Sequence, residues 1–374
     1  MKILLTGAAG FLGWHTRVRL RALTDHEVVA VDRDEWPDLA RYAKGIDAVV
    51  HVAGVNREPD ADVEQGNIDL ARDLLDALRA AGSAPRVVYA NSIQDGNGTP
   101  YGIGKGGARR LLEDAAASLG TPFVDVRLPN LFGEHGLPHY NSFVATFAHA
   151  VVSGETPQIV ERQVELLHVQ GAAQSLIDGL TTAETRLEPP GTPTTVQTVY
   201  DTFLEADRLY ATGDIPPLLT DLDIDLFNTL RAARFPAHYP IPLTPRTDAR
   251  GSLVEVVRAH GGQGQTFVST TRPGITRGEH FHLRKIERFV VLKGEARISL
   301  RRVFSDQVVS FDVNGDSPAI VDMPTMWAHN ITNTGAGELT TLFWADELFD
   351  PAAPDTFPEP VSPENAGPTT PGAR

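Results

Sequence analysis

The sequence predicts two domains of different class, a doubly wound α/β domain followed by a smaller all-β domain. Three observations carry this. The chain has 374 residues, beyond the roughly 250–300 at which a single core stops growing. Its first half alternates short β-branched runs with amphipathic stretches, the signature of βαβ units and a parallel sheet. After residue 243 the pattern changes to short strands separated by Gly, Pro and Asp/Asn turns, as in a small barrel or sandwich.

In chain order, KILLTG (residues 2–7), EVVAVD (27–32), DAVVHVAG (47–54), RVVYANS (86–92) and FVDVRLPN (123–130) read as buried parallel strands. FLGWHTRVRLRAL (11–23), NIDLARDLLDALRAAG (67–82) and GKGGARRLLEDAAASLG (104–120) carry apolar residues at helical spacing and lie between them. The Pro/Thr-rich stretch 186–199 reads as a loop. In the second domain SLVEVVRA (252–259), QTFVSTT (265–271), RFVVLKG (288–294), EARISLRRVF (295–304) and PAIVDMP (318–324) read as strands. The expected organisation is therefore a first domain over 1–243, a second over 244–356, and a disordered Pro-rich tail over 357–374 with almost no apolar residues.

A net charge of −15 argues against general affinity for nucleic acid or anionic membrane, which bind basic surfaces. No apolar run approaches the roughly 18 residues of a membrane span, and the opening ILL is too short for a signal-peptide core. The absence of cysteine excludes disulfides and thiolate ligands, so any metal must use His and carboxylate; it also fits a cytoplasmic location.

Gly7, Gly10 and Gly13 end the first strand and open the first helix, where glycines let backbone N–H groups approach a pyrophosphate at a helix N-terminus. Asp32 ends the second strand, where an acidic side chain takes a ribose 2′-hydroxyl; Arg33 beside it would instead hold a 2′-phosphate, so the pair leaves NAD and NADP open. Tyr101 and Lys105 are one helical turn apart on one face. The lysine charge is expected to lower the phenol pKa and make Tyr101 a usable acid, with Ser92, at the end of a strand, bonding the same oxygen.

These residues, together with VVHVAG (49–54) and RLPNLFG (127–133), resemble an extended short-chain dehydrogenase/reductase of the sugar-nucleotide type with a Rossmann fold. The resemblance implies that Tyr101 is the acid and that Ser92 polarises the substrate carbonyl. It gives Lys105 the nicotinamide ribose, and Phe11, Leu12 and Ala53 a place with the glycines around the cofactor. Asn130 and Asn141 would belong to the sugar-nucleotide pocket.

PGITRGEHFHLRKIERFVVLKG (273–294) matches a cupin signature, the double-stranded β-helix, from Gly274 through His280, His282 and Glu287 to Gly294. His280 and His282 alternate along a strand and share a face. His329 in PTMWAHNITN would be the fourth ligand and Asn333 the second motif's terminal residue, while Met326 stands where cupins often carry glycine. Three His and one carboxylate suit Zn²⁺, Ni²⁺, Mn²⁺ or Fe²⁺. DARGSLVEV (248–256) with TRGEHFH (276–282) resembles cupin epimerases of nucleotide-linked 4-keto-6-deoxy sugars, in which the counterpart of His280 acts as a base. His280 therefore has two assignments, and Lys285 is a second candidate base or enolate stabiliser.

The order of the two halves, with HVAGVNR (51–57), PNLFGEHGLPHYNSFVATF (129–147) and ADELFDP (345–351), is similar to bifunctional capsular-polysaccharide enzymes that make UDP-N-acetyl-6-deoxytalosamine. That resemblance implies a UDP-sugar substrate, C3 epimerisation followed by C4 reduction, NADPH with NADH as the alternative, one divalent metal of zinc type, and a homodimer. Two rival readings are a plain 4-ketosugar reductase with a structural cupin and a non-catalytic sensor of dinucleotide and sugar nucleotide.

Overall fold

The computed structural model describes residues 1–57 and 59–362. Two compact units emerge. The first comprises Met1–Thr146 and Ile159–Val196, the second Phe147–Gln158 and the chain from Gln197 onward.

The first unit begins β1 (Lys2–Thr6), α1 (Phe11–Leu23), β2 (Glu27–Val31), α2 (Leu39–Tyr42), β3 (Ala48–His51), α3 (Asp60–Ala81), β4 (Arg86–Ser92), α4 (Pro100–Leu119) and β5 (Phe123–Leu128). It continues with β6 (Asn130–Phe132), α5 (Phe143–Val152, which crosses into the second unit), β7 (Gln163–His168), α6 (Val169–Asp178), β8 (Arg186–Leu187) and β9 (Thr192–Thr195). The main sheet is parallel in the order β2-β1-β3-β4-β5-β8. Its strands bury both faces: Leu4 packs with Leu74, Leu78 and Leu112 on one side, while Ile3 and Leu5 pack with Leu20, Ala172 and Leu176 on the other. The order reverses at β1 and β3, so a crevice opens beyond their carboxyl ends.

In the second unit, α7 (Val196–Tyr210) and α8 (Asp221–Arg234) precede β10 (Ile241–Pro242), β11 (Arg246–Asp248), β12 (Gly251–Leu253), β13 (Gln265–Thr271), β14 (Thr276–Phe281) and β15 (Glu287–Lys293). Then come β16 (Glu295–Arg302), β17 (Val308–Asn314), β18 (Ala319–Met323), β19 (Trp327–Asn333), β20 (Leu339–Ala345) and β21 (Phe357–Pro358). They form two antiparallel five-stranded sheets, β10-β18-β15-β20-β13 and β17-β16-β19-β14-β21, around a core that includes Phe289, Ile298, Leu300, Met323, Ile331 and Phe343. A buried ion pair joins neighbouring strands of one sheet, and Tyr210 ties it to α7. Arg288 on β15 meets the Asp322 carboxylate on β18 at 2.8 and 2.9 Å, and Tyr210 at the end of α7 donates to the same carboxylate at 2.5 Å. Arg288 and Asp322 are both 0% exposed.

Several expectations need correction. α7 and α8 pack with the β unit, so the compact units part near residue 196 rather than at 243. Tertiary packing decides this, since Tyr210 and Arg231 spend their polar groups on Asp322 and the Met323 carbonyl. The stretch 186–199 contains β8, β9 and the start of α7 rather than a loop. Within 252–259 pairing is confined to Ser252 and Leu253, in a short hairpin with β11, and to an isolated bridge from Ala259 to Ile215. Residues 357–362, expected in a disordered tail, are ordered, with Val361 buried; residues 363–374 lie outside the described residues. Among the described residues no helix is long and apolar enough to cross a membrane.

Candidate functional site

At the crevice of the first unit, Gly7 turns the chain out of β1 with φ +69°. A Cβ on Gly7 would stand 2.8 Å from the Ala53 backbone, and one on Gly13 would stand 1.9 Å from the Gly7 carbonyl oxygen. Glycine at both positions is what brings the N-terminus of α1 against β1, with its unpaired N–H groups and positive dipole end at the crevice. The Ala9 N–H donates to the Asp32 carboxylate at 2.8 Å, which ties the end of β2 to this turn.

A cavity of about 850 Å³ follows, and every residue singled out in this half of the sequence lines it: Gly7, Gly10, Phe11, Leu12, Gly13, Asp32, Arg33, Ala53, Ser92, Tyr101, Lys105, Asn130 and Asn141. Asn56, Gln94 and Tyr140 line it too and were missed by sequence reasoning. Tyr140 donates to Asn56 Oδ1 at 2.8 Å, and the Arg57 guanidinium lies 5.5 Å from the centre of the Tyr140 ring. These residues carry no spacing signal of their own; loop geometry brings them in from distant segments.

Thr99 caps α4 by accepting the Gly102 N–H at 3.1 Å, which sets Tyr101 in the first helical turn and Lys105 one turn on. The Lys105 ammonium donates to the Ala90 carbonyl at 2.6 Å and lies 4.2 Å from the centre of the Tyr89 ring. Burial pushes its pKa down to about 7, against the pull of Asp125 and Asp95. Burial also pushes the Tyr101 phenol above its ordinary value. This corrects the expectation that Lys105 lowers the phenol: desolvation outweighs a charge whose hydrogen bond goes to Ala90. Tyr101 therefore stays protonated near neutral pH, the form a proton donor requires.

In the second unit, β14 bulges between Gly278 and His280, with Glu279 at φ +62°. The bulge re-aims the strand, and His280 pairs with His329 of β19. His282 follows β14, and Glu287 opens β15 on the other sheet. The four side chains converge, with one ligand atom from each within 4.8 Å of the others. Glu287 Oε2 lies 3.2 Å from His282 Nε2, 3.2 Å from His329 Nε2 and 4.0 Å from His280 Nε2.

The outer nitrogens are also held. His282 Nδ1 donates to the Asp355 carbonyl and His329 Nδ1 to the Trp327 carbonyl at 3.1 Å, which leaves both Nε2 atoms facing inward as ligand atoms. Although burial opposes ionisation, the His282 and His329 rings that approach it at 3.2 Å hold the Glu287 carboxyl well below its usual range. Burial, His329 and His282 push the His280 pKa down to about 3, so its lone pair is available at neutral pH. Three imidazoles and one carboxylate are a donor set that fits a divalent transition metal.

The remaining candidates have other duties. Lys285 Nζ donates to the Pro354 carbonyl at 2.6 Å and Thr356 Oγ1 at 3.2 Å, so its ammonium anchors the 354–356 segment. Met326 takes φ +61°, a conformation glycine adopts freely, while its N–H donates to the His282 carbonyl at 2.7 Å. The Asn333 amide donates to the Thr271 and Gly337 carbonyls at 2.8 Å each and closes a turn.

Comparison with known proteins agrees with this two-part layout. Residues 3–184 match the NAD dependent epimerase/dehydratase family, and residues 246–357 the polysaccharide biosynthesis C-terminal domain. UDP-2-acetamido-2,6-beta-L-arabino-hexul-4-ose reductase of Pseudomonas aeruginosa is 31% identical over 372 residues, covering 96% of this chain and 98% of the relative. The crystal structure of the capsular polysaccharide assembling protein CapF from Staphylococcus aureus is 32% identical with a TM-score of 0.63, over 96% of this chain and 100% of that one. UDP-N-acetylglucosamine 4-epimerase from Methanobrevibacter ruminantium, at 18% identity and a TM-score of 0.53, covers 62% of this chain and 97% of its own, and shows likeness of fold alone. Matched end to end at that identity, the chain belongs to the family of the Pseudomonas aeruginosa reductase, a nicotinamide-dependent epimerase/dehydratase unit joined to a polysaccharide biosynthesis C-terminal domain.

Proposed function

We propose that the chain acts on one UDP-linked 4-keto-6-deoxy-N-acetylhexosamine at two sites, inverting C3 in the C-terminal unit and reducing the C4 ketone in the N-terminal one. The product is UDP-N-acetyl-6-deoxytalosamine for surface polysaccharide. One observation carries the reading: a single chain holds both a cavity lined by Ser92, Tyr101 and Lys105 and a convergent three-His, one-Glu centre. The reductase half is supported by the name of the relative, which specifies a 4-keto UDP-sugar, and the polysaccharide context by the CapF likeness.

A ketone at C4 acidifies the hydrogen on C3, so removing that proton from one face and returning it to the other inverts the centre. His280, 22% exposed by side chain against 2% for His282 and 0% for His329, is the imidazole of the set that a substrate can reach. We assign the C-terminal unit to the cupin class, with His280, His282, Glu287 and His329 as the residues that would hold a zinc-type ion. Such an ion, when bound, withdraws electron density from the ketone during proton removal.

Reduction then needs a hydride at C4 and a proton on the oxygen. A nicotinamide cofactor, when bound, supplies the hydride. Tyr101, kept protonated by burial, donates the proton, while the Ser92 hydroxyl donates a hydrogen bond to the same oxygen as charge develops on it. The Gly7–Gly13 turn would hold the pyrophosphate, and Lys105 the nicotinamide ribose. NADPH is the assigned cofactor because Arg33 lines the cavity as a cation for a 2′-phosphate, while an Asp32 oxygen is committed to the Ala9 N–H.

Proton NMR of the protein with the 4-keto UDP-sugar in D₂O, without NADPH, tests the assignment. The H3 signal should disappear through exchange, and added NADPH should then be consumed. An H3 signal that persists while NADPH is consumed leaves a reductase without epimerase activity; neither change removes the reading altogether.

A further inference from the structure

The segment from Pro354 to Val361 is fastened to the histidine cluster at closely spaced points. Phe357 and Pro358 of β21 pair with Phe281 and His280 of β14. The Glu279 carboxylate accepts the Val361 N–H at 2.6 Å, and Arg301 donates to the Glu359 carboxylate at 2.7 Å and the Val361 carbonyl at 2.9 Å. At the head of the segment stands Asp355, whose φ of +40° is unfavourable for a residue other than glycine.

Asp355 acts in two directions at once. Its carboxylate accepts the backbone N–H groups of Leu283 at 2.9 Å, Arg284 at 2.9 Å and Lys285 at 2.7 Å, three of the four residues between His282 and Glu287. Its main-chain carbonyl accepts His282 Nδ1–H at 2.5 Å. The side chain thus holds the turn that sets the spacing of two cluster members. The carbonyl fixes the tautomer and ring orientation that send His282 Nε2 toward the other three.

We propose that Asp355 is a positioning residue for the divalent-metal centre, acting through His282 and the 283–285 turn; this rests on the reading of the cluster as a metal site. Three convergent N–H donors account for the strained backbone, because charge-assisted hydrogen bonds outweigh the cost of the left-handed conformation. The end of the second domain, 73 residues beyond His282, is therefore part of the site.

The test is zinc affinity of the full chain, measured by chelator competition after metal stripping, for wild type, Asp355→Ala and Asp355→Asn. The d–d spectrum of the Co²⁺-loaded proteins is recorded beside it. Wild type should bind one equivalent, and Asp355→Ala should bind about 10–100-fold more weakly with an altered Co²⁺ spectrum. Asp355→Asn, which keeps the size and one acceptor oxygen, should fall between them and decides the matter if the alanine variant fails to fold. Wild-type affinity and spectrum in the variants, with only the melting of the metal-free protein lowered, would overturn the positioning role and leave the metal reading intact. Absence of zinc binding by wild type would remove the metal reading and this inference together.

Discussion

Gly13→Ala tests the construction of the nucleotide crevice directly. The added methyl would stand 1.9 Å from the Gly7 carbonyl oxygen, 2.8 Å from the Gly7 carbonyl carbon and 3.0 Å from Ala8 Cα, all of them backbone atoms that cannot rotate away. Helix α1 or the Gly7 turn must therefore move by about 1 Å in a close-packed interior. Overpacking of this kind costs about 1–3 kcal/mol, and the better helix propensity of alanine returns up to about 1 kcal/mol. A net loss of about 1–2 kcal/mol in the first unit is expected. The same displacement pulls the α1 N-terminus from its place and strains the Ala9–Asp32 hydrogen bond, so NADPH affinity should fall about 10–100-fold, the equivalent of one or two charge-assisted hydrogen bonds. Calorimetric titration of NADPH into the purified variant reads this, with zinc affinity as the internal control, since the histidine cluster belongs to the other unit. Wild-type NADPH affinity in Gly13→Ala would refute the reasoning that contact between α1 and the Gly7 turn builds the site.

Four further outcomes are expected. Tyr101→Phe should lower NADPH oxidation by about 10²–10⁴-fold while H3 exchange in D₂O continues; loss of both activities would contradict separate sites. His280→Gln separates its two assignments: loss of zinc together with H3 exchange marks a ligand, whereas zinc retained with exchange lost marks the base. Lys105 has a folded pKa of about 7 against an ordinary 10.5, so the unfolded chain binds more protons between those values. Its contribution to stability is complete above pH 10.5 and is lost as pH falls toward 7, by up to about 1.4 kcal/mol per pH unit. Urea denaturation of the cofactor-free protein should thus show wild type gaining on Lys105→Met as pH rises from about 7.5 to 9.5, and a constant difference would sink the idea. Asp322→Ala strips the partner from a fully buried Arg288 and should cost about 3–5 kcal/mol, measured by the shift in the unfolding transition of the second unit.

Much of the site was legible because its chemistry depends on local spacing. The glycine turn, the Tyr–Lys helical turn and the His-x-His strand each fall within one element, where period and rotamer direction follow from the residues themselves. The five parallel strands read from β-branched runs correspond to β1–β5 for the same reason. Helix α3 starts at Asp60, seven residues ahead of the expected Asn67, because its first turns are polar and show no apolar stripe. Lys105 misled the reading of Tyr101 because a shared helical face fixes direction and says nothing of the Ala90 carbonyl and Tyr89 ring that receive the ammonium.

The sequence by itself determined the two fold classes, the order of the sites and most of the side chains in each, since periodicity and spacing are properties of the chain. Tertiary structure alone decided which unit owns α7 and α8, how the Glu287 carboxylate meets histidines from the opposite sheet, and that Asp355 buttresses His282 from 73 residues away. Contacts across such separations depend on how sheets close and segments return. No local pattern encodes that geometry; it exists once the core has formed.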